Sequence, residues 1–192
     1  MKILDVGCGK HKILGVKGVD IDPDSNADII HDLNDFPYPF EDNTFDKVYA
    51  RAILEHLDKA ELVMKELYRI CKSNAKIIIT VPHFSNGVNT WGTLGHRHGF
   101  SCTWFTKSLI QTSCFDVKKI RLHYLAKHYF TFKNDPPRKK NIAEILLDKT
   151  LTFLANRNLH LCERGWCYLV GGFSMIYVEV IVKKIKNPNW RF

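Results

Sequence analysis

The sequence lacks a Cys-x-x-Cys pair, an apolar run long enough for a membrane, and any internal repeat or low-complexity tract. Each absence excludes something. Six cysteines (Cys8, Cys71, Cys102, Cys114, Cys162 and Cys167) are scattered without a ladder, so reduced thiols are expected rather than a disulfide framework. At 192 residues the chain can bury a core without such staples. The most membrane-like stretch, Cys167 to Val182, is short and contains Gly171, Gly172 and Glu179, so its second half reads as a strand and no membrane contact is expected. The start, Met1-Lys2-Ile3-Leu4-Asp5, has neither the apolar stretch nor the cleavage site of a secretory signal. A cytoplasmic protein is expected.

Acidic residues become scarce after the midpoint. Residues 1–116 carry 13 Lys/Arg against 15 Asp/Glu, whereas residues 117–192 carry 15 against 5, within a net charge of +8. Such asymmetry fits an anionic partner, RNA or a phosphorylated substrate, and equally a Lys-rich solvated face.

What is present is an alternation of strand and helix signals. Strands are expected at Lys2–Val6, Gly18–Ile21, Ala27–His31, Phe45–Ala50, Lys76–Val81, Phe115–Leu122 and Ser174–Lys184. A capping box at Asp58 to Glu61 opens a helix whose apolar face is Val63, Leu67, Ile70 and Cys71. A short helix is expected over Thr106–Thr112, and another over Ile142 to Asn156 with Ile145, Leu146, Lys149 and Phe153 along one side. The pattern predicts one α/β domain over 1–192: a doubly wound, mainly parallel sheet of about seven strands with helices on both faces. Only nine residues separate Gly9 from Val19, too few for a full crossover helix, so the first helix is expected to be cut short.

In such sheets, sites form at the carboxyl ends of strands beside the switch point. The first strand ends in Asp5-Val6-Gly7-Cys8-Gly9. A dinucleotide site wants a third glycine and a helix start to hold its pyrophosphate, but Lys12 stands at that position and Asp5 would repel the anion. The same carboxylate suits a cationic ligand. The second strand ends at Asp20, placed to accept ribose hydroxyls, and the third is followed by Asp32-Leu33, placed to meet an adenine amino group. Each acid alone reads as a turn or cap residue. Three of them after a Gly-x-Gly point to a nucleoside.

These residues resemble the class I S-adenosylmethionine (SAM) dependent methyltransferases. Ile3 to Gly9 is similar to their first motif and Gly18-Val19-Asp20-Ile21 to their second-strand acid. His31 to Phe40 with Phe45 to Tyr49 resembles the adenine loop and fourth strand, and Ile53-Leu54-Glu55-His56-Leu57 the helix entry. The likeness spans residues 2 to about 122 and is nearest to a branch of small methyltransferases, some tied to glycan or other small-molecule pathways. It implies SAM as cofactor, with Asp5, Gly7, Cys8 and Gly9 at its methionine end and Asp20 with Ile21 at the ribose. Asp32 and Leu33 would meet the adenine, Arg51 would flank the cofactor from the end of the fourth strand, and His56 would help shape the pocket.

Methyl transfer needs chiefly positioning, and a general base depends on the acceptor. His83, after the fifth strand, and His96 and His98 in Gly95 to Ser101 are the candidate catalytic groups; His56 has a structural alternative. His96-x-His98 with Cys102 lacks a fourth ligand, so no metal is expected. The relatives' covering N-terminal helices have no counterpart before the first strand, so residues 124–172 are expected to form an acceptor-side lid. The acceptor is expected to be a small molecule, sugar or nucleotide-linked and anionic. Two alternatives stand beside it: an RNA methyltransferase using Tyr129, Phe130, Phe132 and Arg138-Lys139-Lys140, and a non-catalytic SAM-binding partner subunit.

Overall fold

The computed structural model describes residues 1–125, 142–170, 172–188 and 190. All seven expected strands are present: β1 (Ile3–Val6), β2 (Lys17–Asp20), β3 (Ile29–Ile30), β4 (Phe45–Arg51), β5 (Cys71–Pro82), β6 (Phe115–His123) and β7 (Met175–Val182). They form one sheet in the order β3-β2-β1-β4-β5-β7-β6. The first five run parallel, and β7 is antiparallel to both β5 and β6. The chain leaves β1 toward β2 on one side and returns at β4 on the other, so the switch point lies between β1 and β4.

One face of the sheet is a dry core. Leu4, Val48, Ala50, Ile77, Ile79, Val178 and Val180 are all fully buried there. Helix α1 (Ala60–Ile70) covers it with Val63, Met64, Leu67 and Ile70. Its expected capping box does not form: the N-cap is Lys59, without a side-chain cap, and Asp58 pairs with Arg97 instead. Glu66 and Arg69 of α1 clasp the loop before β4. Arg69 donates to the carbonyls of Tyr38 and Phe40 (2.9 and 2.8 Å) and to Asp42, and Glu66 accepts the Tyr38 amide.

The opposite face differs from the expectation of helices on both sides. Lys47, Tyr49, Lys76, Ile78, Tyr177 and Glu179 alternate with the core residues and are only half-buried. Right-handed crossovers would place the β1–β2 connection over this face. That connection holds only a 3-10 turn, Gly9–His11, among the few residues between Val6 and Lys17. The shortened first helix is thus as expected, and its consequence is a polar ladder. Lys76 and Lys119 pair with Glu179, and Lys47 lies against Tyr49.

After β5 come a short helix α2 (Gly87–Trp91) and a helical stretch with π-type turns over Trp104–Leu109, near the expected Thr106–Thr112. Helix α3 (Ile142–Arg157) is followed by α4 (Leu159–Arg164). The side of α3 turned inward carries Leu151 and Ala155, while Leu146 and Phe153 face outward, unlike the expected apolar stripe. The difference arises because α3 docks through polar groups: Asp148, Thr152 and Asn156 accept the amides of Leu125, Tyr124 and Leu122 at the end of β6. The aromatic and basic residues from Tyr129 to Lys140 lie outside the described residues. No helix among the described residues is long and apolar enough to cross a membrane.

Candidate active site

At the switch point the carboxyl edge opens into a cleft of about 340 Å³. One wall is Gly7 after β1, Asp20 and Ile21 at the end of β2, and Asp32, Leu33 and Asn34 after β3. The other is Ile53, His56 and Leu57 after β4, with Gly95 and Arg97 from a later loop. A larger hollow of about 470 Å³ at the amino edge, around Met1, Lys17 and Phe40, lacks convergent carboxylates.

Local geometry explains the wall residues. Gly7 has φ of +64°, and a Cβ there would collide with the Ile53 side chain, so only glycine lets the two loops close. Asp20 accepts the Gly9 amide at 2.7 Å with Oδ2 and the Asp22 amide at 3.0 Å with Oδ1. Each oxygen keeps a lone pair. Asp32 Oδ1 accepts the Asn34 amide at 2.8 Å, and Asn34 in turn accepts the Asp58 amide at 2.8 Å.

Asp5 is placed differently from the cleft acids. It is fully buried, and its carboxylate accepts from Arg51 Nη2 at 2.7 Å and from the Ile13 amide at 3.0 Å. Its charge is met inside the protein, and Arg51, which also donates to the His11 carbonyl, is the partly exposed member of the pair. Cys8 is buried, and its thiol is pushed up to about 11 by burial and then by Asp5 and Asp20. Gly9 has φ of +50° and open space where a Cβ would stand.

The histidines separate into two groups. His83 is fully buried, with Nδ1 at 2.7 Å from Ser85 Oγ and Nε2 at 3.2 Å from Glu163. Both nitrogens are committed, and neither reaches the cleft. Glu163 also accepts the amides of Cys102 and Thr103 and the Thr103 hydroxyl, tying α4 to the helical stretch after β5. By contrast His56 lines the cleft, His96 packs against it, and His98 follows on the same loop. His56 Nδ1 lies 3.2 Å from the Gly95 carbonyl, and its ring meets that of His96 edge to face at 4.5 Å. Burial, then the neighbouring His96, lowers the His56 pKa. His98 Nε2 lies 3.1 Å from the Asp58 carbonyl. Cys102, once grouped with His96 and His98 by spacing, is buried beside Glu163 instead.

Sequence reasoning passed over Glu55, which stands inside the quoted Ile53–Leu57 motif. It is 1% exposed, and burial pushes its carboxyl up to about 8. Its backbone carbonyl accepts the amides of Arg97 and His98 at 2.7 and 3.3 Å, fastening the later loop onto this turn. Proximity to His56 was the available signal; the burial was not.

The donor set fits a nucleoside that carries no phosphate. Two carboxylates with spare lone pairs flank an apolar slot of Ile21, Leu33, Ile53 and Leu57. The three-residue turn Gly9–His11 gives no helix start to hold a pyrophosphate. Residues 4–79 match the family model described as a methyltransferase domain. Among solved structures, a SAM-dependent methyltransferase from Archaeoglobus fulgidus aligns with a TM-score of 0.61 at 19% identity, over 95% of this chain and 86% of that one. Residues 4–79 thus form a methyltransferase domain, and the fold is that of SAM-dependent methyltransferases.

Two further structures share the methyltransferase fold. A SAM-dependent methyltransferase from Mesorhizobium loti has a TM-score of 0.56 at 13% identity, covering 94% of this chain and 90% of that one. A Haloferax volcanii chain from the complex with the Trm112 methyltransferase activator gives 0.57 at 14% identity, over 97% and 83%. No curated protein matches the sequence. SAM is the cofactor that the methyltransferase domain implies.

Proposed function

We propose that this methyltransferase moves the methyl group of SAM to a small-molecule acceptor. The observation that carries the reading is the cleft itself, with nucleoside-type acids on one wall and a histidine loop fastened down as the other. Asp20 would hold the ribose hydroxyls, Asp32 and Leu33 the adenine, and Gly7 and Gly9 the backbone approach. Arg51, braced by Asp5, would meet the methionine carboxylate. When bound, SAM supplies an electrophilic methyl group on a sulfonium. The protein's own part is to orient that methyl toward the His56–His98 side and to exclude water. His96 and His98 stand on the acceptor side, and residues 142–170, docked on the carboxyl end of β6, would serve as its wall within one domain.

A second reading, an RNA acceptor, draws on a hollow of about 420 Å³ lined by Arg121, Lys149 and Arg157, with Phe153 beside them. One pair of measurements separates the possibilities. S-adenosylhomocysteine should raise the melting temperature and NAD at matched concentration should not; the reverse would overturn the cofactor assignment. Radiolabelled SAM incubated with cell extract should label the small-molecule fraction. Label confined to RNA would favour the second reading, and none in either fraction would leave a partner subunit.

A further inference from the structure

Glu55 has no hydrogen-bond partner on either carboxyl oxygen, although it is 99% buried by accessible surface. A buried carboxyl group left without a partner is costly, so it asks for an explanation. Nδ1 of the adjacent His96 is likewise buried and without a partner. The basic side chain nearest in sequence on the same loop, Arg97, pairs with Asp58 instead. One ligand atom each from Glu55, His56 and His96 can be chosen so that all three lie within 4.8 Å of one another. No other such group occurs among the described residues.

The backbone builds this cluster deliberately. Glu55 and His56 are consecutive on the 3-10 turn Leu54–His56. The loop bearing His96 is held to that turn through the Glu55 carbonyl and the His56–Gly95 bond. Gly95 has φ of +88°, a backbone conformation that favours glycine, and its carbonyl meets His56 Nδ1. A neutral His56 that donates from Nδ1 to the Gly95 carbonyl presents its other nitrogen as a lone pair, the arrangement that orients histidine ligands on metals.

We propose that Glu55, His56 and His96 bind one divalent first-row transition-metal ion. Two imidazoles and a carboxylate are donors for zinc, iron, cobalt or manganese, whereas magnesium and calcium prefer oxygen alone. Three protein ligands leave coordination positions open. His56 lines the cleft with Asp20 and Asp32, so the ion would sit at the cleft wall, where a ligand oxygen could fill an open position. Resting on the methyltransferase reading, this favours acceptors whose hydroxyl oxygen can complete the coordination.

The test uses the full chain, free of any histidine tag and stripped with chelator. Zn²⁺ titrated by calorimetry should bind one ion per chain, and Co²⁺ should develop visible d–d absorption. Glu55→Gln and His96→Ala should weaken Zn²⁺ at least about tenfold, given that even outer-shell changes cost about 10–100-fold. His98→Ala should not. Zn²⁺ should raise the wild-type melting temperature and leave both ligand variants unmoved. Circular dichroism of the stripped variants checks folding, and half-buried His96 gives a usable variant if Glu55→Gln unfolds. Absence of stoichiometric binding by folded wild type, or equal binding by both ligand variants, would overturn the site. S-adenosylhomocysteine titrated into the same stripped protein reports separately on the methyltransferase reading.

Discussion

Asp20 and Glu163 do opposite work with the same functional group. Asp20 holds the Gly9 amide of the loop after β1 and the Asp22 amide of its own loop, and keeps lone pairs for a ligand. A hydrogen bond to a charged group contributes roughly 1.5–3 kcal/mol, so Asp20→Ala should weaken S-adenosylhomocysteine at least about tenfold. Asp20→Asn, which keeps the shape, should lose less; calorimetric titration of the three proteins compares them, and equal affinities would point to another acid. Glu163 is spent inside the protein. Burial works against its charge, but His83, the Cys102 amide and Thr103 outweigh it and hold its pKa below the ordinary carboxylate value. A lowered folded pKa means that its stabilisation is complete above the unfolded value, about 4.3, and is lost as pH falls through the folded one. Glu163→Ala should therefore cost about 2–3 kcal/mol at neutral pH, by stranding its donors. Urea melts at pH 7 and pH 3 check this: the gap between wild type and variant should shrink in acid, and a constant gap would contradict it.

At the scale of elements, α1 is both a core helix and a clamp. Its apolar side lies on the sheet, while Arg69 reaches the carbonyls of Tyr38 and Phe40 and so fixes the loop that follows Asp32. Arg69→Ala should lower stability by about 1.5–3 kcal/mol and weaken S-adenosylhomocysteine through the loosened Asp32 loop; an unchanged urea midpoint would show the clamp to be idle. The same elements show what could be read beforehand. Strands β1 to β5 and the acids at their ends were legible because local alternation and turn residues determine them. Asp58 as a cap was misread because its partner, Arg97, stands 39 positions away on a loop with no periodic signal. The burial of His83 depends on Glu163, 80 residues on. The inward side of α3 was misjudged since polar docking to β6, rather than apolar pairing, decides its rotation.

Across the whole molecule, the truncated β1–β2 connection leaves the sheet dry on one side and wet on the other. Ile77 and Ile79 are inaccessible, whereas Lys76 and Ile78 between them are not. Neighbouring positions on one strand therefore live under different physical constraints, set by side-chain alternation. Truncating Ile79 to Ala should cost about 2–5 kcal/mol as a core cavity, while Lys76→Ala should stay within about 0.5 kcal/mol; chemical denaturation of the two variants reads this directly. A saturation library screened for folded protein should accordingly carry a two-residue rhythm along β4, β5 and β7, strict and permissive sites taking turns. Ordinary doubly wound sheets, buried on both faces, would record no such beat. In a drifting lineage the wet face is the part of this sheet free to acquire a new contact without endangering the old fold.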